Sequence, residues 1–191
     1  MGALWWCGGP LARGSTAAMC LVSALLWVSG VQGQTTKPTE YQVKAAYLYN
    51  FGKFVQWPPR TAEAKNDPFR ICVLGQNPFG VILDGLSGQT INGQSVSTRQ
   101  IPRAQDAEKC DVLFVGTSEQ GHVRVILEVI QKLPVLTVSD MPHFVARGGM
   151  IEFVAQHNKV RFEVNRAAAE RAGLSLSSEL LKLAVNVKTS P

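Results

Sequence analysis

The sequence CDVLFVGTSEQGHVRVILEVIQKLPVLTVS, from Cys110 to Ser139, decides the fold class of this 191-residue chain. Its two ends are short runs of β-branched and other apolar residues, at 111–116 and 135–139, which is the composition of buried strands. Between them, residues 120–132 carry apolar side chains at helical spacing. Two strands joined by such a helix are typical of a parallel pair, so this stretch predicts one βα repeat of a parallel sheet.

The flanking sequence continues this alternation in both directions. Upstream, we predict a strand at 69–75, a helix near Phe79–Leu86 and a strand at 95–101. Downstream, alternating apolar residues from Ile151 to Val164 predict a hairpin that turns at His157-Asn158. The whole pattern predicts a single-domain α/β fold, an αβα sandwich in which helices flank a mostly parallel central sheet of about six strands that ends in a C-terminal hairpin.

The register of this hairpin places two acidic residues opposite each other. Glu152 faces Glu163, an unfavourable pair unless Arg161 lies diagonally between them. We interpret the two glutamates as the solvent face of the hairpin rather than as a catalytic carboxylate pair. After the hairpin, Asn165 and Ser177 are predicted to cap two further helices.

Ahead of the first long strand, Thr39 can cap a helix from Glu40 to about Trp57, which Pro58-Pro59 ends. Its apolar side chains cover about 200° of the helical wheel, more than the ~100° stripe of an ordinary surface helix. Two explanations stay open: the helix is buried between layers, or part of its surface docks a second subunit or another protein. Because aromatic residues are favoured at interface hot spots, the candidate partner-binding residues are Tyr49, Phe54 and Trp57.

Residues 1–33 predict a cleaved secretory signal peptide. The apolar run AAMCLVSALLWVSGV, at 17–31, follows the single charge of Arg13 and precedes small residues at the positions that a signal peptidase reads. A membrane anchor is the alternative, although about 15 apolar residues fall short of the roughly 20 that a spanning helix needs. A lipoprotein is a weaker alternative, because Ala17-Ala18-Met19 before Cys20 is not a usual lipobox. Cleavage leaves a short polar lead at 34–38 and one domain at 39–188.

The mature chain then has 18 basic and 14 acidic side chains, a net charge of +4. These charges are scattered rather than arranged in a basic stripe, which disfavours nucleic-acid binding. Cys72 and Cys110 are its only cysteines. In an oxidising compartment a disulfide between them is the default, with two buried thiols as the alternative. Two cysteines without a nearby histidine do not make a zinc ligand set, so no metal site is predicted.

The residues do not predict a catalytic site. Ser118 follows a strand, but the nucleophile elbow of hydrolases needs glycine where Gln120 stands. Metalloprotease, phosphate-loop and dinucleotide motifs are missing as well. The residues that remain to complete a triad with Ser118 follow no recognisable spacing: His122, His143, His157 and Asp140.

Polar residues nevertheless stand where the predicted strands end. In an open parallel sheet, ligands bind beyond the carboxyl ends of the strands. The candidate residues for a small-molecule pocket there are Asn77, Ser118 and Asp140. The alternative is that these side chains only cap the helices that follow.

Four segments together resemble the YfiR family of periplasmic proteins. They are VKAAYLYNFGKFVQWP at 43–58, CVLGQNPFG at 72–80, LTVSDMPHFVARGGMIEF at 136–153 and KVRFEVNRAAAERAGLSLSSELLKLA at 159–184. The last is the most specific, since a hairpin strand, an Ala-rich helix, Ala-Gly-Leu and Ser-Ser-x-Leu-Leu do not form a generic helix pattern. The resemblance covers nearly all of the predicted mature chain.

The resemblance implies an α/β sandwich located in the periplasm of a Gram-negative bacterium, without a cofactor. It also implies a repressor that binds the periplasmic sensor region of a YfiN-type inner-membrane diguanylate cyclase and that a YfiB-type outer-membrane lipoprotein releases. Cyclic di-GMP and biofilm formation stay low as a result. The alternative is a periplasmic small-molecule sensor subunit for a membrane protein such as a histidine kinase. A homodimer is compatible with the wide apolar surface of the first helix.

Overall fold

A computed structural model describes residues 38–59 and 67–189 of the chain. The predicted signal peptide, and the polar lead apart from Pro38, lie outside the described residues. The helices are α1 Glu40–Phe54, α2 Val81–Asp84, α3 Val123–Ile130, α4 Arg166–Arg171 and α5 Ser178–Leu183. The strands are β1 Val55–Gln56, β2 Phe69–Leu74, β3 Thr90–Ile91, β4 Gln94–Ile101, β5 Val112–Val115, β6 Leu136–Ser139, β7 Ile151–Gln156, β8 Lys159–Asn165, β9 Ser175–Leu176 and β10 Asn186–Lys188.

Eight of these strands form one mostly parallel sheet in the order β10-β8-β7-β6-β5-β2-β4-β3. Only the pairs β7–β8 and β3–β4 are antiparallel. The predicted α/β sandwich is therefore confirmed, with two more strands than expected. The two additions, β3 and β10, are two and three residues long, too short to produce a hydrophobic period. A separate ribbon pairs β1 with β9.

The stretch from Cys110 to Ser139 folds as the predicted strand, helix and strand. Strands β5 and β6 are parallel neighbours, and every residue of both is buried. Side chains alternate between the two faces of the sheet, so Phe114 packs on the α1 side and Leu113 on the α3 side. The α1 side carries the larger core, with Phe51 between Phe153 and Phe162.

Helix α1 begins where the sequence predicts and ends earlier. Thr39 forms a capping box with Gln42, in which each side chain accepts the backbone N–H of the other residue. The predicted end at Trp57 is wrong, because α1 stops at Phe54 and the next two residues pair with β9. The helix lies close to the sheet: a Cβ on Gly52 would come within 2.7 Å of the Ile91 side chain.

The C-terminal hairpin has the predicted turn and register. His157 and Asn158 both have positive φ, at 51° and 58°, as a two-residue turn that follows the strand twist requires. Glu152 pairs with Glu163 as predicted, but the assignment of Glu152 to the solvent face is wrong. Its side chain is buried because the carboxylate accepts the backbone N–H groups of His143 and Val145, at 2.9 and 3.1 Å. Those two bonds satisfy the carboxylate.

The two predicted caps that follow the hairpin are confirmed. The Asn165 side chain accepts the backbone N–H of Ala168 at the start of α4. The Ser177 hydroxyl accepts that of Leu180 at the start of α5. Each cap thus satisfies one of the N–H groups that the first turn of the helix leaves without a backbone partner.

The cysteines form the expected disulfide. Cys72 of β2 is bonded to Cys110, which ends a 3₁₀ turn at Ala104–Lys109, with the two Cα atoms 6.0 Å apart. Both sulfurs lie in the core on the α3 side of the sheet. The alternative of two buried thiols does not describe this structure.

Candidate functional site

A cavity of about 980 Å³ opens at the carboxyl ends of β5 and β6. Its walls are the first turns of α1 and the β7–β8 hairpin, and Thr117 and Asp140 follow directly from the two strands. We call it the α1 cavity; it is lined by Pro38, Glu40, Tyr41, Val43, Lys44, Thr117, Asp140, Phe153, Val154, Ala155, Asn158, Lys159 and Val160. Its position at strand ends and its size are those of a small-molecule pocket.

Asp140 is the polar centre of the α1 cavity. Its Oδ2 atom accepts the Lys44 ammonium at 2.7 Å and the Tyr41 hydroxyl at 3.1 Å. Lys44 also pairs with Glu40 one turn earlier in α1, at 2.6 Å, and its Nζ lies 4.5 Å from the centre of the Tyr41 ring. The Lys44–Asp140 ion pair thus joins helix α1 to the end of β6, and Glu40 gives Lys44 a second carboxylate partner within α1.

Lys44 is 4% exposed, which is exceptional for a lysine and requires the compensation that these partners provide. Burial by itself lowers its pKa, but the hydrogen bonds to Asp140 and Glu40 and the charges of both carboxylates outweigh burial and raise it. The pKa of Tyr41 is also raised, by burial and by the negative charge of Asp140. Lys44 therefore stays protonated and Tyr41 stays neutral at physiological pH.

The residues around Asp140 hold it in place. The Ser139 hydroxyl donates to the Val115 carbonyl at 2.7 Å and accepts the Met141 N–H at 3.0 Å, so it ties the end of β6 to β5. The loop that follows, residues 140–150, is fixed by Glu152, which binds two of its N–H groups. At its far end the Met150 N–H donates to the hydroxyl of Thr137 at 3.0 Å. Asp140 thus starts a loop anchored at both ends, and its position is set before any ligand arrives.

The three predicted ligand residues do not come together in this cavity. Ser118 accepts the Gln76 N–H at 2.9 Å and bonds the Glu119 carboxylate at 3.1 Å. Asn77 accepts the N–H of Phe79 at 2.9 Å. Both side chains stabilise turns, and neither caps the helix that follows it. Only Asp140 lines the α1 cavity. Whether any of the three binds a ligand stays a prediction.

Sequence reasoning missed Lys44 and Tyr41. Lys44 belongs to the buried stripe of α1, at helical spacing with Leu48 and Phe51, and Tyr41 is partly buried one turn before it. A lysine on an apolar stripe was the available signal, since a buried ammonium needs a carboxylate partner. The identity of that partner could not be found, because Asp140 lies 96 residues away along the chain.

The three aromatic candidates on and after α1 have different surroundings. Phe54 is 37% exposed. The Tyr49 hydroxyl donates to the Thr90 carbonyl at 2.9 Å, and the Lys53 ammonium lies 4.2 Å from the centre of its ring. Trp57 packs edge-on against Phe69, with ring centres 5.1 Å apart. Phe54 therefore offers more free apolar surface than the other two.

The residues considered for a hydrolase triad show no hydrogen bond between Ser118 and a histidine in the described part of the chain. The Ser118 hydroxyl bonds Gln76 and Glu119 rather than a histidine. His143 lies in the 140–150 loop, where it adopts a positive φ of 63°, and His157 forms the hairpin turn.

Within the described ranges, no group of three or more His, Cys, Asp or Glu side chains could hold a metal ion. Nor does any described helix combine the length and hydropathy that a membrane span requires.

The sequence pattern of the YfiR/HmsC-like family matches residues 41–185. This match covers the α1 helix, the central sheet and the C-terminal hairpin and helices. The fold and the family pattern together define an α/β sandwich with a mostly parallel sheet. The chain belongs to the YfiR/HmsC-like family.

Two solved structures resemble the fold at 12% sequence identity. A conserved domain protein from Vibrio cholerae O1 biovar El Tor N16961 has a TM-score of 0.54, with 80% of this chain and 62% of that chain covered. An ABC domain from Streptococcus pneumonia, solved in complex with L-Trp, has a TM-score of 0.50, with 75% and 60% covered. The chain thus spans about six-tenths of the length of each, and the likeness concerns the fold alone.

Proposed function

We propose that the protein is a periplasmic regulator that represses an inner-membrane diguanylate cyclase by binding its periplasmic sensor region. The observation that supports this most is the family match over 41–185, which includes all of the described helices and strands except Glu40 and β10. The signal peptide predicted at residues 1–33 and the disulfide agree with a periplasmic location. A YfiB-type outer-membrane lipoprotein would remove the repression.

Such a regulator acts by affinity rather than by bond making. It lowers cyclic di-GMP only if it binds the inactive state of the cyclase more tightly than the active state. A shift from mostly active to mostly inactive needs about 5 kcal/mol of differential binding, which a modest apolar interface can provide.

Phe54 is our proposed centre of the docking surface. It is the partner candidate with the most exposed ring, and it lies at the end of α1. Its carbonyl accepts the N–H of Ser177, so the backbone beneath the ring is fixed by the β1–β9 ribbon. A rigid aromatic side chain loses little entropy on binding.

The test is a deletion of the gene followed by complementation with point variants, with cellular cyclic di-GMP as the readout. Deletion should raise cyclic di-GMP and biofilm formation, and wild type should restore both. Phe54→Asp should fail to restore them while keeping the melting temperature of the wild type. Val125→Asp is the matched control, because Val125 is 61% exposed on α3, on the opposite side of the sheet. A deletion that leaves cyclic di-GMP unchanged contradicts the proposal.

A second candidate function is a small-molecule sensor subunit, for example for a histidine kinase. The α1 cavity favours it, since a space of about 980 Å³ with an apolar wall and one polar centre suits a small amphipathic ligand. The Streptococcus domain of similar fold was solved in complex with L-Trp. Calorimetric titration of a periplasmic metabolite panel against wild type and Asp140→Asn tests it. Heat that depends on Asp140 supports the sensor, and no heat contradicts it.

A further inference from the structure

We propose that a second cavity, bordered by α3, the 140–150 loop and α4, binds the phosphate group of a small molecule or free inorganic phosphate. This cavity has a volume of about 220 Å³, and three arginines line it: Arg124 from α3, Arg147 from the 140–150 loop and Arg171 from α4. We call it the arginine cavity. The proposal does not depend on the proposed function.

The arginine cavity holds more positive charge than its neighbours neutralise. Of the eight arginines among the described residues, four form ion pairs: Arg70, Arg103, Arg124 and Arg166. Arg147 and Arg171 have no carboxylate partner within the described part of the chain, yet both line this one cavity. Glu128 is the only acidic side chain in the lining, and it pairs with Arg124 at 3.2 Å. The lining therefore keeps a formal charge of +2 without a ligand.

The two unpaired arginines are carried by elements that one buried side chain ties together. Asn165 is 2% exposed; its oxygen accepts the Ala168 N–H in α4, and its nitrogen donates to the Val145 carbonyl at 3.4 Å in the loop. The Glu152 carboxylate fixes the same loop by binding the N–H of Val145. The backbones that carry Arg147 and Arg171 are thus preorganised, which lowers the entropic cost of binding a shared ligand.

The geometry favours a phosphate over other anions. Each guanidinium presents a planar fork of N–H donors, which matches two oxygens of a phosphate or a carboxylate. Arginines from three separate elements line the cavity, and together they offer more N–H donors than the two oxygens of a carboxylate can accept, which suits the three terminal oxygens of a phosphate better. The volume lies below the range of about 300–1,000 Å³ for drug-sized ligands, so the bound group must be small. A divalent charge would balance the +2 of the lining.

Isothermal titration of the purified protein with sodium phosphate, at constant ionic strength set by sodium chloride, tests the site. Wild type should give a saturable heat, and Arg147→Ala and Arg171→Ala should each weaken binding about tenfold or more, because each removes charge-assisted hydrogen bonds. Arg99→Ala is the matched control, since Arg99 is an unpaired, exposed arginine on β4 outside the lining, and it should bind as wild type. Circular dichroism checks that each variant is folded.

Two further arms decide the ligand class and its source. Glycerol 3-phosphate binding more tightly than inorganic phosphate assigns the site to a phosphomonoester, and the reverse order assigns it to the free ion; either supports the proposal. Succinate binding as tightly as phosphate overturns the assignment to phosphate. The site itself is overturned if wild type gives no saturable heat, or if Arg99→Ala loses as much affinity as Arg171→Ala. Arg171→Lys keeps the charge but not the fork, and should bind more weakly than wild type.

Discussion

The α1 cavity and the arginine cavity differ in how the positive charges of their lining residues are neutralised. On the α1 side, Lys44 is almost fully buried, and two carboxylates neutralise it. In the arginine cavity, Arg147 and Arg171 are exposed and lack a carboxylate partner among the described residues. A buried cation that is paired with carboxylates holds two elements of the fold together. Unpaired cations on a rigid backbone keep a positive charge that can attract an anionic ligand. Changes on the α1 side should therefore lower stability, and changes in the arginine cavity should lower binding.

The largest effect is expected from the disulfide on the α3 side. Replacing Cys72 and Cys110 by alanine should lower the free energy of unfolding by about 4 kcal/mol, because the disulfide links two residues that are 38 positions apart in the sequence. Urea unfolding monitored by the fluorescence of Trp57 measures this. The wild type with dithiothreitol is the control and should lose the same amount. An equal midpoint with and without reductant would show that the bond does not stabilise the fold.

The next effect tests the pairing of Lys44. Asp140→Ala should cost about 3 kcal/mol, because it leaves a buried ammonium with only the exposed Glu40 as a carboxylate partner. Glu40→Ala is the matched control and should cost less than about 1 kcal/mol, the usual limit for an exposed pair. If the two variants lose the same stability by urea unfolding, Asp140 is not the dominant partner.

The capping asparagine connects stability to the arginine cavity. Asn165→Ala should cost about 2 kcal/mol, from the lost α4 cap and from the Val145 carbonyl that it leaves without this donor. Asn165→Ser keeps a capping oxygen and should recover about half of the loss. Both should weaken phosphate binding, because both release the 140–150 loop from α4. Unchanged phosphate affinity in both variants would show that Asn165 does not preorganise the site.

The smallest effect concerns alkaline pH. The pKa values of Lys44 and Tyr41 are raised in the folded state, so the fold favours their protonated forms. Their stabilisation is complete below the unfolded-state values, near 10 for both groups, and is lost as pH rises through the folded-state values. Lys44→Met should therefore lose less stability than wild type as the pH rises above about 10. Parallel slopes of unfolding free energy against pH for the two proteins would contradict this.

Local signals in the sequence predicted much of this fold. Helix caps at Thr39, Asn165 and Ser177 depend on residues within one turn, and the structure contains all three. The long strands and the hairpin turn also follow from local patterns. The short β3 and β10 were missed, because each gains its pairing from a neighbouring strand rather than from its own composition.

The sites were less predictable, because they depend on long-range contacts. Asp140 was found from its position after a strand, but its partner Lys44 was not. Glu152 was assigned to solvent since a strand alternates, yet the 140–150 loop folds back and supplies its N–H partners. The arginine cavity draws on three segments that are distant in sequence, and no local spacing joins them.

The most direct test of the central claim is the rate of cyclic di-GMP synthesis by a membrane-bound diguanylate cyclase of the same organism, reconstituted in nanodiscs and titrated with the purified protein. Repression predicts a saturable fall in rate for wild type and for Val125→Asp, and a much weaker fall for Phe54→Asp. If no membrane-bound cyclase of the organism that has a periplasmic region slows at saturating protein, the protein is not a cyclase repressor.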